Sequence, residues 1–412
     1  MASGFTSEKH RIKRSKKLSI AQATELTEKM ALIFAEIKDP RVARTRVHVL
    51  TDILMIGILS VIAGGNGWED MENYGVSKGE WLEQFLALPG GIPSADTFRR
   101  VFERINPKVF EQCFRRWIES IVEVAGAKVI PIDGKTLKGS YDREQGKSAL
   151  HLVSAWSSEY RLVLGQVKVA DKSNEITAIP ALLELLDMAG CIITIDAMGT
   201  QTAIASQIFH AKADYVLALK ANHPTLYGQV KNWFEQQLSH GFEGTLHSYD
   251  QRVEQGHYRT EKRSCWCVPL SQLPTLHNQN DWVGLQCVVM VVRVRHLWNK
   301  TTREVQFYLT SLPCNAERVA QAIRLHWGIE NSLHWTLDVT WNEDACRVRT
   351  GHAPQNLALL RRLALNALNM EQSYKRSNRQ KSHRAAMDNN YMLTVLASCL
   401  FPHDDASRPC CQ

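Results

Sequence analysis

The chain has no apolar stretch long enough to cross a bilayer. Its most apolar run, "ILMIGILSVIAGG" (residues 53–65), follows Asp52 and falls short of the roughly 20 residues a spanning helix needs. It reads as a buried helix. No cleavable leader is expected either, because the basic N-terminal stretch runs into "LSIAQATELTEKMALIF", an amphipathic pattern with charges inside it. A soluble protein is expected. A disulfide framework is also lacking. The 10 cysteines are scattered, and the two closest pairs, Cys265/Cys267 and Cys410/Cys411, are not C-x-x-C. Reduced thiols in a cytosolic protein are the expectation. A zinc site from His257, Cys265, Cys267 and Cys287 can be drawn, but its spacing matches no common finger.

Strong charge is lacking as well. A formal net charge of +7 over 412 residues permits a nucleic-acid partner without demanding one. The basic residues gather in "EKHRIKRSKK" (8–17) and "YKRSNRQKSHR" (374–384), which read as solvated tails or as phosphate contacts. What the chain does have, 44% hydrophobic and 22% charged residues, is ordinary for a globular protein. Its length predicts two or three domains.

Residues 18–126 read as a helical domain after a basic tail, 1–17. "TELTEKMALIFAEI" repeats its apolar residues at helical spacing, and "DILMIGILSVIAG" is apolar nearly all round, as an interior helix should be. "SADTFRRVFERINPKVFEQCFRRWIESIVEVAG" predicts a helical hairpin with Ser94 as N-cap and Arg99, Arg100 and Arg104 on a polar face. Such a hairpin either packs or binds DNA.

At residue 128 the period changes. "KVIPIDGKTL", "ALHLVSAWSS" and "YRLVLGQVKVA" predict an antiparallel meander. "KSNEITAIPALLELLDMAG" predicts a helix capped by Ser173 or Asn174. The strand "CIITID", the helix "TQTAIASQIFHAKA" and the strand "DYVLALKAN" follow. The order is β-β-β-α-β-α-β, an α/β sheet with a meander edge. Residues 225–312 read as a β-rich insertion, 313–372 as a returning helical block, and 373–412 as a basic tail.

Two strands end in acids. Asp133 closes "KVIPID" before Gly134, and Asp196 closes "CIITID". Singly, Asp133 reads as a turn residue and Asp196 as a helix cap. Together they can meet at one sheet edge, where α/β proteins bind ligands. A third acid is then expected from the last helical block: Glu330, Asp338, Glu343 or Asp344. Glu330 lies among Trp327, Ile329, Leu333 and Trp335, with His326 and His334 one helical turn to either side. Its structural alternative is a buried ion pair. Clustered carboxylates repel one another and are hard ligands, which points to Mg²⁺ or Mn²⁺. Two such ions could drive in-line displacement at a phosphodiester. A metalloenzyme built on His326, Glu330 and His334 would use iron or zinc instead, but leaves both aspartates idle.

The stretches "VIPIDGKTLKGS", "DKSNEITAIPALLELLDMAGCIITIDAMGTQTAIA", "ADYVLALKANHPTL" and "IRLHWGIENSLHWTLDVTWNEDACRVR" resemble the DDE insertion-sequence transposases, most of all the ISAs-type, H-repeat-associated group. The resemblance runs from about residue 30 to 370. It implies an RNase-H-like catalytic core, 127–224 and 313–372, interrupted by the β-rich insertion and preceded by the helical domain. It implies a catalytic, metal-binding triad of Asp133, Asp196 and Glu330 with two Mg²⁺ or Mn²⁺ ions. The partners would be double-stranded DNA, at element ends and targets, and a second copy of the chain. A bacterial, cytoplasmic, nucleoid-associated location goes with it. Lys135, Lys220 and Asn222 would sit near the DNA backbone. Arg259 and Arg263, in "HYRTEKR", would be further contacts; Tyr258 stands where the group usually has Gly. The wider superfamily's Tyr, Arg and Lys around its glutamate are here Ile323, His326 and Leu337, so either Arg324 and His326 take over phosphate contacts or end processing differs in this group. His223 replaces a common Gln. The alternative function is a transposase-derived DNA-binding protein that no longer transposes.

Overall fold

The structure is a computed structural model that describes residues 19–121, 129–141, 148–170, 173–256 and 259–400. The N-terminal region is helical: Ile20–Ile33 (α1), Leu50–Ile62 (α2), Trp68–Ser77 (α3), Gly79–Leu82 (α4), Ala95–Arg104 (α5) and Pro107–Ile121 (α6). Ser19 and Gln22 form a reciprocal capping box at the start of α1, satisfying two donors that the helix cannot. From Asp52 to Ile62 every residue of α2 is buried, as its apolar circumference predicts. The acid in that run is satisfied by the Leu88 N–H, 2.9 Å from Asp52 Oδ2. Ser94 occupies the N-cap of α5 but caps no backbone group; its Oγ lies 3.2 Å from Thr97 Oγ1. Arg99 pairs with Asp96 and Glu103, and Arg100 with Asp96. That polar face is therefore substantially neutralised on its own helix.

The sheet begins with the expected meander, Val129–Leu137 (β1), Leu150–Ser157 (β2) and Leu162–Lys168 (β3), all antiparallel. Glu175–Leu183 (α7), capped by Asn174, leads to Ile192–Ile195 (β4). Thr202–His210 (α8) then leads to Asp214–Leu219 (β5). Strands β1, β4 and β5 are parallel, as helical crossovers require. The segment after residue 224 differs from expectation in two ways. It opens with a helix, Pro224–Ser239 (α9), before Ser248–Gly256 (β6), Arg259–Pro269 (β7), Cys287–Leu297 (β8) and Thr301–Thr310 (β9). Its strands also extend the sheet already begun, because β9 pairs with the open edge of β5. One nine-stranded sheet results, in the order β3-β2-β1-β4-β5-β9-β8-β7-β6. Pairing that edge satisfies backbone groups that would otherwise be left open.

Ala316–Gly328 (α10) continues through a π-helical turn, Ile329–His334, into Trp335–Trp341 (α11). Ala353–Met370 (α12), Asn378–Met387 (α13) and Asn389–Leu400 (α14) follow. Helix α12 is buried along nearly its whole length and packs against α2, α5 and β3. The indoles of Trp117 and Trp341 donate to Cys399 O and Val61 O, at 2.9 and 2.7 Å. One core therefore runs from Ala23 in α1 to Cys399 in α14 and takes in a face of the sheet.

The C-terminal reading is corrected here. Residues 378–400 are packed helices rather than a solvated tail, and basic residues of 374–384 serve the interior. Buried Lys381 donates to Leu368 O at 2.7 Å and pairs with Glu371. The Arg384 guanidinium lies over the rings of Tyr374 and Tyr391. Residues 1–18 and 401–412, which hold the other basic tail and Cys410/Cys411, lie outside the described residues. Among the described residues, no helix is long and apolar enough to cross a membrane.

Candidate active site

The parallel ladder between β1 and β4 ends at the pair Ile132↔Ile195. The next residue on each strand is an aspartate, so Asp133, still paired with β2, and Asp196, just past the end of β4, stand side by side on strands about 4.8 Å apart. Asp133 does not form a turn with Gly134, since β1 continues along β2 as far as Leu137. Nor does Asp196 cap α8, whose N-cap is Gln201. Instead Asp196 Oδ1 accepts from the N–H groups of Met198 and Gly199, at 3.0 and 3.3 Å. The loop that carries it is pinned from β5. Thr200 Oγ1 donates to Ala218 O, and Asn222 Nδ2 donates to Ala197 O at 2.6 Å.

The four acids of the last helical block separate cleanly. Lys135, two residues beyond Asp133 and on the same strand face, is buried. Its Nζ donates to Asp338 Oδ1 at 2.6 Å and lies 3.5 and 3.6 Å from Glu343 and Asp344. Glu343, fully buried, also pairs with Arg362 and Arg361. These three acids are committed to internal cations, which leaves Glu330. The placement of Lys135 at the DNA backbone is thereby corrected, because period-two alternation turns it inward with Asp133.

Glu330 sits on the π-helical turn Ile329–His334. It is exposed, as is Trp335, while Ile329 and Leu333 are buried. The expected carboxylate between two imidazoles on a buried stripe is not formed. His326 Nδ1 lies 2.9 Å from Thr194 Oγ1 on β4, and His334 Nδ1 lies 3.5 Å from Asp133 Oδ2. The histidines brace the strand ends, one each. Burial, its largest influence, holds His334 down to about 3, and burial lowers His326 as well. Both are neutral at physiological pH.

Asp133 is pushed up to about 7, first by burial and then by the charges of Glu175, Asp196 and Glu330. Glu175 was not among the residues anticipated for the site. It lies at the first turn of α7, its Oε1 2.8 Å from His151 Nε2, and burial together with the Asp196 charge raises its pKa. Its signal was present in "DKSNEITAIP", where an acid after an N-cap passes for ordinary helix chemistry. Among the described residues, no Lys or Arg pairs with Asp133, Glu175, Asp196 or Glu330. Carboxylate oxygens of this kind suit divalent metal ions as a class, and no three of these four acids have ligand atoms within 4.8 Å of one another. The only group of three His, Cys, Asp or Glu ligand atoms within 4.8 Å of one another among the described residues is Cys267, Cys287 and Cys314. That group excludes Cys265, and His257 lies outside the described residues. The zinc set drawn from sequence is not assembled.

The remaining candidates divide. Lys220 is exposed and, with Asp196, His326, Tyr227, Phe307 and Trp327, lines a cavity of about 380 Å³ over β4, β5 and β9. Arg259 is exposed at the start of β7; Tyr258 beside it lies outside the described residues. Arg263 is drawn to Glu261 and Glu254, and Arg324 to Glu254 at 3.3 Å, so both are engaged within the protein.

Two family profiles match the chain: "DDE_Tnp_1-associated" over residues 32–118 and "Transposase DDE domain" over residues 125–367. From Escherichia coli O157:H7, "Putative transposase YncI" is 38% identical over 85% of this chain and 90% of its own length. From E. coli K12, "H repeat-associated putative transposase YhhI" is 39% identical over 85% of this chain and 93% of its own. A cryo-EM structure of the piggyBac transposase synaptic complex with hairpin DNA aligns with 95% of this chain and 80% of that one, at 12% identity and a TM-score of 0.40. The domain match covers more than half of the chain, and it contains Asp133, Asp196 and Glu330. The chain belongs to the DDE transposases of insertion sequences.

Proposed function

We propose that this transposase cleaves phosphodiesters at the ends of its element and joins the freed 3′-hydroxyls to target DNA, using Asp133, Asp196 and Glu330. The observation that carries the reading is that Asp133 and Asp196 are neighbours on adjacent parallel strands, where the β1–β4 ladder stops at Ile132↔Ile195. The order β3-β2-β1-β4-β5 with α7 and α8 between its later strands suits an RNase-H-like core. In that view β6–β9 are an insertion fused to its edge.

The aspartates would hold one or two Mg²⁺ or Mn²⁺ ions, with Glu330 completing the set. When bound, such ions activate the attacking water or hydroxyl and stabilise the leaving oxygen. The chain's own contribution is positional. Met198 and Gly199 fix one oxygen of Asp196, leaving the other to face the site. Thr194 and His326 hold the end of β4 against α10, and His334, held neutral, adds no charge that would repel a cation. Lys220, exposed beside Asp196, meets a DNA phosphate. Two ends must be processed together, so the working form is a dimer on DNA.

The test is incubation of purified protein with DNA carrying the element's own end, in Mg²⁺ or Mn²⁺, beside Asp196→Ala. Cleavage at the end that disappears in the variant supports the reading. Specific binding without cleavage points to a DNA-binding derivative that no longer transposes. Cleavage that survives Asp196→Ala removes Asp196 from the site. Activity restored by Zn²⁺ or Fe²⁺ but not Mg²⁺ would favour the His326–Glu330–His334 alternative.

A further inference from the structure

We propose that Glu175 is a fourth carboxylate ligand of the divalent ions bound at Asp133 and Asp196, held in place by His151 and admitted to the site by Gly134. The inference rests on the proposed catalytic site and adds to it a residue outside the three family acids.

The geometry comes from three elements. Asn174 caps α7 by accepting from the Ile176 N–H at 3.1 Å, which fixes where the helix starts and sets Glu175 in its first turn. Helix α7 packs on β2 and β3, and its Glu175 carboxylate reaches across to Gly134 of β1, the residue after Asp133. A Cβ at residue 134 would overlap the Glu175 carboxylate and would lie 2.7 Å from His151 Nε2. Only glycine leaves room for the acid to close on the strand next to Asp133. His151, on β2 opposite Thr136, then fixes the carboxylate. Its Nε2 is 2.8 Å from Glu175 Oε1, and its Nδ1 is 2.6 Å from Thr136 Oγ1. Carboxylates that ligate metals are themselves held by hydrogen bonds from outer groups, the part His151 would play for Glu175. Here the imidazole engages one oxygen of the acid, and among the described residues Oε2 has no hydrogen-bond partner.

A structural role alone explains this poorly. An acid needed only to complement the start of α7 would do so from the solvent side, where hydration costs nothing. Glu175 is instead half-buried among other acids, and its charge bears on both Asp133 and Asp196. Repulsion of this kind is tolerable where a cation is shared among the oxygens.

The test uses the full-length protein with Mn²⁺ alone as probe. Free Mn²⁺ is followed by electron paramagnetic resonance for wild type, Glu175→Gln and Asp196→Asn, with thermal melts in EDTA as the check on folding. Glu175→Gln preserves shape and can still bond to His151. It is expected to weaken Mn²⁺ binding at least about tenfold while the metal-free melt stays near wild type. Glu175→Asp, which keeps the charge but draws it back, should fall between the two. If Glu175→Gln destabilises the fold, Glu175→Asp carries the comparison. Wild-type Mn²⁺ affinity in Glu175→Gln, with affinity lost in Asp196→Asn, overturns the role of Glu175 and leaves the catalytic reading standing. Unchanged affinity in both variants overturns the catalytic reading itself.

Discussion

Replacing Arg362 by methionine removes the closest partner of a carboxylate that has no access to water. Glu343 and Arg362 are both fully buried, with Nη1 2.5 Å from Oε1. Breaking a buried pair by deleting one partner costs about 3–5 kcal/mol, because the surviving charge remains desolvated. Arg361 at 3.9 Å and Lys135 at 3.5 Å still face Glu343, which argues for the lower end, about 3 kcal/mol. The sign of the pH dependence follows from the same charges. Burial alone would raise the Glu343 pKa, but Arg362, Arg361 and Lys135 together hold it below its ordinary 4.5. In wild type its contribution is present above that value and lost as pH falls through the folded one. In Arg362→Met the folded pKa moves upward, so the deficit shrinks on acidification as Glu343 takes up a proton. Urea denaturation at about pH 8 and about pH 5 should show the gap to wild type narrowing at the lower pH. The double variant Glu343→Gln/Arg362→Met should be more stable than Arg362→Met alone. A loss under about 1 kcal/mol, or a gap indifferent to pH, refutes this account of the network.

Gly134→Ala forces the Glu175 carboxylate and His151 aside. It should lower Mn²⁺ affinity and end cleavage while costing about 1–3 kcal/mol of stability, measured by titration and by melting. Asp133, whose folded pKa of about 7 lies above its ordinary 3.8, contributes stability below 3.8 that is lost as pH rises through about 7. The EDTA-treated protein should lose melting temperature over that interval. Mn²⁺ should reverse the loss, with an apparent affinity that climbs with pH; a flat affinity between about pH 5 and about pH 8 counts against it. Lys220→Ala should weaken DNA binding for all sequences alike and reduce the slope of log K against log salt by about 1, read from binding isotherms over a salt series.

The features legible in the sequence were those with an unambiguous period. The all-apolar circumference of α2, the meander β1–β3 and the end of β4 before Asp196 are local patterns, and the fold keeps them. The features that were hidden depend on distant partners. His326 and His334 turn to Thr194 and Asp133 on the sheet while Glu330 stays exposed, a division that their four-residue spacing does not contain. Lys135 looked available because Asp133 was read as the strand's last residue. Once β1 runs on past Gly134, positions 133 and 135 share a face, and the lysine meets Asp338, Glu343 and Asp344. Basic composition masked the apolar spacing of Tyr391, Met392, Val395, Leu396 and Cys399, which buries α14. Glu175 was hidden because a first-turn acid is so often a helix-dipole residue, and only the approach of α7 to Gly134 gives it another purpose.

Whether Asp133 and Asp196 form a divalent-cation site where β4 ends beside β1 is tested by letting the cation mark its own position. Fe²⁺ placed in an Mg²⁺ site generates hydroxyl radicals with ascorbate and peroxide, and these cut the backbone nearby. The account predicts cuts close to residues 133 and 196, with weaker ones near 175 and 330, all suppressed by Mg²⁺ and absent from Asp196→Asn. Cuts confined to the thiol cluster of Cys267, Cys287 and Cys314, or cuts that Mg²⁺ does not suppress, would contradict it.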